Sequence, residues 1–159
     1  MNPLPDALPE PHELVLTRLI DAPPAAVFRA WTEPGLMKQW FCPRPWTTPV
    51  IEIDVRPGGS SYILMQGPGG EQVPSRGVYL EVVPGKKLVF TDAFTQAWCP
   101  STHAFMVGEI TFDDENGKTR YTARVRHWSA ADKQQHEQMG FHDGWAKATD
   151  QLEALLRSR

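Results

Sequence analysis

The chain has 159 residues, of which 41% are hydrophobic and 22% are charged, and its net charge is −3. This length fits one globular domain with a sizeable core. The charge argues against binding to nucleic acid or to an anionic membrane, since neither is attracted by an acidic surface. No apolar run approaches the ~20 residues that cross a bilayer, so no membrane insertion is expected.

The N-terminal sequence MNPLPDALPEPH is rich in proline. It predicts a flexible tail over residues 1–12, followed by a single domain over residues 13–159. The tail has neither the basic start nor the apolar stretch of an export signal, so the cytoplasm is the expected location. In that compartment Cys42 and Cys99 are expected to be free, unreactive thiols.

The first elements are a strand and two short helices. Residues 14–20 are rich in strand-forming side chains, and Pro23-Pro24 then begins a helix that extends to Trp31. A second short helix is expected over residues 35–41. Beyond it the apolar period changes from 3.6 to 2, which predicts six antiparallel strands at residues 51–55, 62–66, 77–83, 87–94, 104–112 and 119–128.

The last predicted strand shows the clearest alternation. Its interior face carries Tyr121, Ala123, Val125 and His127, and its exterior face carries Arg120, Arg124 and Arg126. Asn116-Gly117 supplies the tight turn before it. The arginines allow either a basic binding face or an ordinary solvated sheet face, and the solvated face is the more common meaning.

One long amphipathic helix is predicted near the C-terminus. Ser129 and Asp132 form a capping pattern at its start, and the apolar stripe is Phe141, Trp145, Ala148, Leu152 and Leu155. Gly140 and Gly144 are four residues apart, which suggests that another element packs closely against this face. The order of elements predicts an α+β domain in which this helix lies against an antiparallel sheet.

Several motifs together resemble one family over residues 14–157. The motifs are Arg18, Ala22-Pro23, Ala30-Trp31-Thr32, Trp40, the segment 54–59 (DVRPGG) and Gly144-Trp145. They are similar to the proteins homologous to the C-terminal domain of the activator of the heat-shock protein 90 ATPase, within the START-like (SRPBCC) superfamily. Phe41-Cys42-Pro43 departs from the family, where a second tryptophan is expected before the proline.

The resemblance implies a helix-grip fold, START-like and birch-pollen-allergen-like. In that fold a curved antiparallel sheet of six to seven strands surrounds the long C-terminal helix, and two short helices complete it. It also implies a cavity, because superfamily members bind sterols, lipids, polyketides or plant hormones. A few members catalyse cyclisation or dehydration, and the family name suggests a role in stress responses.

The residues that carry catalytic chemistry are few. His136 and His142 are six positions apart, so they do not form the helical zinc-binding pattern, and neither a metal nor a cofactor is expected. Acidic residues of the strands alternate outward, so no catalytic carboxylate pair is predicted. His127 has two interpretations: a polar group that orients a ligand, or a buried histidine bonded to the backbone or to Tyr79.

The aromatic residues exceed what a small core needs, and they predict an apolar pocket beside the long helix. The predicted lining is Trp40, Phe41, Tyr62, Tyr79, Phe90, Trp98, His127, His142 and Trp145. We therefore expect a binding protein for a small apolar or aromatic ligand. The alternatives are a cyclase or dehydratase that uses the same cavity, and a domain that binds a chaperone. The sequence also leaves open whether two copies of the chain form a homodimer.

Overall fold

The computed structural model describes residues 12–158. Within them the elements follow in chain order as β1 (His12–Ile20), α1 (Pro24–Thr32), α2 (Pro34–Met37), β2 (Thr47–Ile53), β3 (Ser60–Gln66), β4 (Gln72–Val83), β5 (Lys87–Thr91), β6 (Phe94–Gln96), β7 (Cys99–Pro100), β8 (Met106–Glu115), β9 (Lys118–His127), α3 (Ala130–Gln138) and α4 (Phe141–Arg157). The predicted tail lies outside the described residues, apart from His12. No helix within residues 12–158 is long and apolar enough to cross a membrane.

Seven strands form one antiparallel sheet in the order β1-β9-β8-β5-β4-β3-β2, while β6 and β7 form a small separate pair. The predicted α+β class and antiparallel sheet are confirmed. The strand predicted over residues 87–94 is shorter, because β5 ends at Thr91. The next residue, Asp92, accepts hydrogen bonds from the amides of Phe105 and Met106 at the start of β8. Its carboxylate therefore joins the chain on either side of β6 and β7.

The β8–β9 hairpin follows the predicted turn and alternation. Asn116 and Gly117 have φ angles of 57° and 85°, which is the left-handed region that a two-residue hairpin turn requires. Every second residue of β9 is buried, from Thr119 to His127. The inner face of this strand therefore belongs to the core, as its sequence indicates.

The helical segment after β9 is divided at Gly140, which has a φ of +93°. The Ser129 side chain accepts a hydrogen bond from the amide of Asp132, so the predicted cap is confirmed. The predicted continuity of the helix across Gly140 is wrong, since a left-handed glycine ends α3 and the long helix α4 begins at Phe141. No residue of α3 is fully buried, whereas α4 carries the buried stripe.

The core lies between the inner face of the sheet and α4. Its main cluster includes Leu88 and Leu152, neither of which has exposed surface. A second cluster joins Phe141, at the start of α4, to Val125 of β9. Trp145 packs against both clusters from the stretch of α4 between them. This stretch of α4 faces a cavity.

Candidate ligand-binding site

A cavity of about 310 Å³ lies between α4, the segment after α2 and the inner face of the sheet. A second cavity of about 90 Å³ shares Trp31, Phe41, Ser75 and Met106 with it. The larger volume is at the lower end of the range for small-molecule sites. Its wall is formed by Trp31, Trp40, Phe41, Cys42, Pro43, Met65, Ser75, Met106, Tyr121, His136, Met139, Gly140, Phe141, Gly144, Trp145, Ala148 and Thr149.

Two wider grooves, of about 810 and 800 Å³, lie elsewhere on the surface. Charged side chains line both of them, among them Lys38 and Asp150 in the first and Arg29 and Glu33 in the second. An apolar molecule gains free energy when it leaves water for apolar surroundings. The aromatic cavity of about 310 Å³ therefore suits an apolar ligand better than the two charged grooves do.

Trp31 of α1 is the centre of an aromatic wall that both cavities share. Its ring centroid lies 5.1 Å from that of Trp40 and 5.8 Å from those of Phe41 and Phe90. Its indole N–H donates to the Tyr121 hydroxyl at 3.1 Å. Because the indole is both hydrogen-bonded and packed between rings, the wall has a fixed shape.

Tyr79 and Phe90 extend the wall into the smaller cavity. They are partners across β4 and β5, and the register shifts between Tyr79 and Glu81. The irregularity leaves both Val78 and Tyr79 buried, although they are consecutive in the strand. Burial raises the pKa of Tyr79 to about 12, so its phenol is uncharged at neutral pH.

Gln151 of α4 holds the segment at one edge of the larger cavity. Its side-chain amide donates to the carbonyls of Trp40 (2.9 Å) and Cys42 (2.7 Å), and its side-chain oxygen accepts from the amide of Arg44 (2.9 Å). Burial raises the pKa of the Cys42 thiol to about 11. The thiol is therefore protonated at neutral pH, and a protonated thiol is a weak nucleophile.

Two histidines meet beside the cavity, where α3 approaches β9. His127 Nδ1 lies 2.9 Å from the carbonyl oxygen of His12, and His127 Nε2 lies 2.9 Å from Nδ1 of His136. Burial, and then the neighbouring His127, lowers the pKa of His136 from 6.5 to about 4. Across residues 12–158, no three His, Cys, Asp or Glu side chains are grouped closely enough to hold a metal ion.

The structure brings together most of the predicted pocket residues. His127 lines neither cavity: it is buried and bonded to the backbone carbonyl of His12, which fits its interpretation as a buried histidine. The predicted residues that line one or both cavities are Trp40, Phe41, Tyr79, Phe90 and Trp145.

Besides His127, three predicted pocket residues lie outside the cavities. The alternation of β3 buries Ile63, so Tyr62 is directed to the outer face of the sheet. Trp98 lies between β6 and β7 and is 71% exposed. The His142 side chain is also largely exposed, and its Nε2 lies 3.8 Å from a carboxylate oxygen of Glu137.

Among the wall residues that the sequence analysis missed are Trp31, Tyr121 and His136. Trp31 belongs to the apolar spacing of the first helix, and Tyr121 is in phase with the interior positions of β9, so a signal existed for both. His136 lies on α3, which buries no residue fully. Its position in the wall follows from the packing of α3 on β9, which no local pattern reveals.

The outer face of β9 carries arginines that are paired with glutamates. Arg124 Nη1 lies 2.9 Å from a carboxylate oxygen of Glu13, and Arg126 Nη2 lies 3.4 Å from one of Glu109. A cationic surface whose charges are balanced in this way attracts polyanions weakly. The pairing supports a solvated sheet face and not a basic binding surface.

One protein family corresponds to nearly the whole chain. The family described as Activator of Hsp90 ATPase homolog 1-like protein matches residues 21–157. This range extends from the start of α1 to the end of α4 and includes all strands except β1. Among curated proteins, none matches the chain.

Solved structures of bacterial proteins share the fold. A Nitrosomonas europaea protein has 39% identity and a TM-score of 0.89, covering 92% of this chain and 94% of that chain. A Mycobacterium smegmatis protein has 27% identity and a TM-score of 0.79, with coverages of 92% and 91%. A Chromobacterium violaceum protein has 25% identity and a TM-score of 0.75, with coverages of 91% and 96%. The predicted helix-grip fold is confirmed.

Proposed function

The chain belongs to the family of Activator of Hsp90 ATPase homolog 1-like proteins, and from that premise we propose that it binds a small apolar or aromatic molecule. The family and the fold support a ligand-binding or activator-like domain. The observation that carries the narrower proposal is the cavity of about 310 Å³, whose wall includes Trp31, Trp40 and Trp145.

The wall favours binding because it is apolar and already ordered. A ligand that buries apolar surface gains roughly 25 cal/mol for each Å² removed from water. The hydrogen bonds of Trp31 and Gln151 hold the aromatic wall and the adjacent segment in place before a ligand arrives. Little conformational entropy is therefore lost on binding, which leaves more of that gain as affinity.

Gly144 provides a direct test of where the ligand binds. It lines the cavity, and a Cβ atom placed on it would meet no atom within 4 Å. We expect calorimetric titration with the neutral dye N-phenylnaphthylamine to give one molecule per chain. Gly144→Ala should retain binding, and Gly144→Phe should weaken it by roughly tenfold or more, because the added ring occupies the space.

Gly35→Phe is the matched control. Gly35 also has no atom within 4 Å of an added Cβ, and it lies in α2 outside the cavity. We expect this variant to bind the dye like the wild type, and thermal melting checks that each variant is folded. Equal affinity in the wild type and Gly144→Phe would contradict the proposed site.

A further inference from the structure

We propose that the cavity selects aromatic ligands that carry a hydrogen-bond donor, such as phenols, and that Nε2 of His136 accepts the hydrogen bond. This inference rests on the proposed function, because it names the class of ligand for the same cavity. It starts from the chain of contacts that joins the His12 carbonyl, His127 and His136.

The backbone fixes the tautomer of His127. A carbonyl oxygen only accepts hydrogen bonds, so Nδ1 of His127, 2.9 Å from the carbonyl of His12, carries a proton. In a neutral imidazole the other nitrogen then has a lone pair. Nε2 of His127 is therefore an acceptor, and its neighbour must donate to it.

That neighbour is His136, whose tautomer is fixed in turn. Its Nδ1 lies 2.9 Å from Nε2 of His127 and so carries the proton of this hydrogen bond. The neutral ring of His136 keeps its lone pair on Nε2. The hydrogen bonds among residues 12–158 leave this nitrogen without a protein partner, and His136 lines the cavity.

Aromatic rings flank His136 in the wall of the cavity. The ring centroids of Phe105 and Phe141 lie 5.2 Å and 5.1 Å from that of His136. A hydrogen bond formed beside apolar rings is stronger than one formed in water, because the local dielectric constant is lower. The Tyr121 hydroxyl, which is also in the wall, accepts a hydrogen bond from the indole N–H of Trp31. A ligand with an O–H or N–H group on an aromatic ring can donate a hydrogen bond to Nε2 of His136, whereas a ligand that only accepts hydrogen bonds cannot.

Naphthol and its methyl ether provide a matched pair of probes. They share the aromatic frame, and only naphthol donates a hydrogen bond. We expect calorimetry to show that the wild type binds naphthol roughly three- to tenfold more tightly than the ether, as one neutral hydrogen bond allows. His136→Phe should remove this preference. His142→Phe is the control, because this exposed histidine lies outside the cavity, and it should keep the preference.

Nitrogen–proton correlation NMR of the histidine rings tests the tautomer independently of any ligand. We expect Nε2 of His136 to be unprotonated at neutral pH, and a proton on that nitrogen would overturn the inference. Equal affinity of the wild type for naphthol and its ether would overturn the ligand class and leave the cavity as a binding site. Failure of the wild type to bind either probe would contradict the proposed function itself.

Discussion

The ring of Phe90 occupies the space that a side chain at Gly108 would need. The two residues are partners across β5 and β8. A Cβ atom on Gly108 would lie 2.5 Å from Cε2 of Phe90 and 2.6 Å from its Cζ. The missing side chain allows Phe90 to stack on Trp31, with ring centroids 5.8 Å apart. One glycine of the sheet therefore sets the shape of the smaller cavity.

Gly108→Ala should destabilise the protein by about 1–3 kcal/mol, because the new methyl group displaces a packed ring. Urea denaturation measures the change. In the double variant Gly108→Ala with Phe90→Leu, the smaller side chain relieves the collision, so the two effects should not be additive. Additive losses of stability would show that Gly108 and Phe90 do not interact in this way.

Gly144→Ala should have the opposite effect and raise the free energy of unfolding by up to about 1 kcal/mol. Alanine is the better helix former, and its Cβ would meet no atom within 4 Å. This corrects the expectation from the sequence, which attributed the helical glycine to close packing. A lower melting temperature for Gly144→Ala would show instead that an element packs against this face in solution.

Trp145→Phe should lower ligand affinity more than stability. The indole lines the cavity, and its ring centroid lies 5.3 Å from that of Phe141. We expect a loss of roughly three- to tenfold in affinity for N-phenylnaphthylamine and a loss of less than about 1 kcal/mol in stability, since phenylalanine keeps most apolar contacts. Trp128→Phe is the control, because Trp128 is 54% exposed. Unchanged affinity with a large loss of stability would assign Trp145 to the core.

The burial of His136 beside His127 should make the free energy of unfolding depend on pH. The pKa of His136 is lowered from 6.5 to about 4, mainly by burial. Between these values the unfolded chain binds a proton that the folded protein does not, so the free energy of unfolding decreases as the pH falls through this window. Because the ring is partly exposed, solvent screening limits the effect to about 1 kcal/mol.

Chemical denaturation across this window measures the pH effect in the wild type and in His136→Phe. We expect the variant to lose less stability on acidification, because phenylalanine does not titrate. The matched variant His142→Phe controls for the general effect of removing a surface histidine. Identical pH profiles for the wild type and His136→Phe would contradict the assignment.

Local features of the fold were predictable from short stretches of sequence. The Asn116-Gly117 turn, the Ser129 cap and the alternation of β9 each depend on residues close together in the chain. Gly140 was harder to interpret, because the apolar stripe begins just after it and nothing local shows its left-handed φ. A glycine within a helical pattern allows close packing, open space or a break, and only the surroundings distinguish them.

The candidate site was predictable only where residues keep to a strand or helix face. Trp145 and Phe90 follow such faces and line the cavities. The prediction that Trp98 lines the pocket was wrong, because the sequence of a loop does not indicate where an aromatic side chain points. His136 was missed because its role depends on His127, nine residues earlier, and on the turn of α3 toward β9.

The six tryptophans are unevenly distributed, so the intrinsic fluorescence of the protein can report on the cavity. Trp31, Trp40 and Trp145 line the larger cavity, whereas Trp98 and Trp128 are 71% and 54% exposed. The emission of an indole depends on the polarity around it, so a molecule that enters the cavity changes the signal of the first group. Trp98 and Trp128 do not line the cavity, so a ligand bound there does not contact their indoles. Occupancy can therefore be followed in unlabelled protein, including occupancy by a compound that is carried through purification.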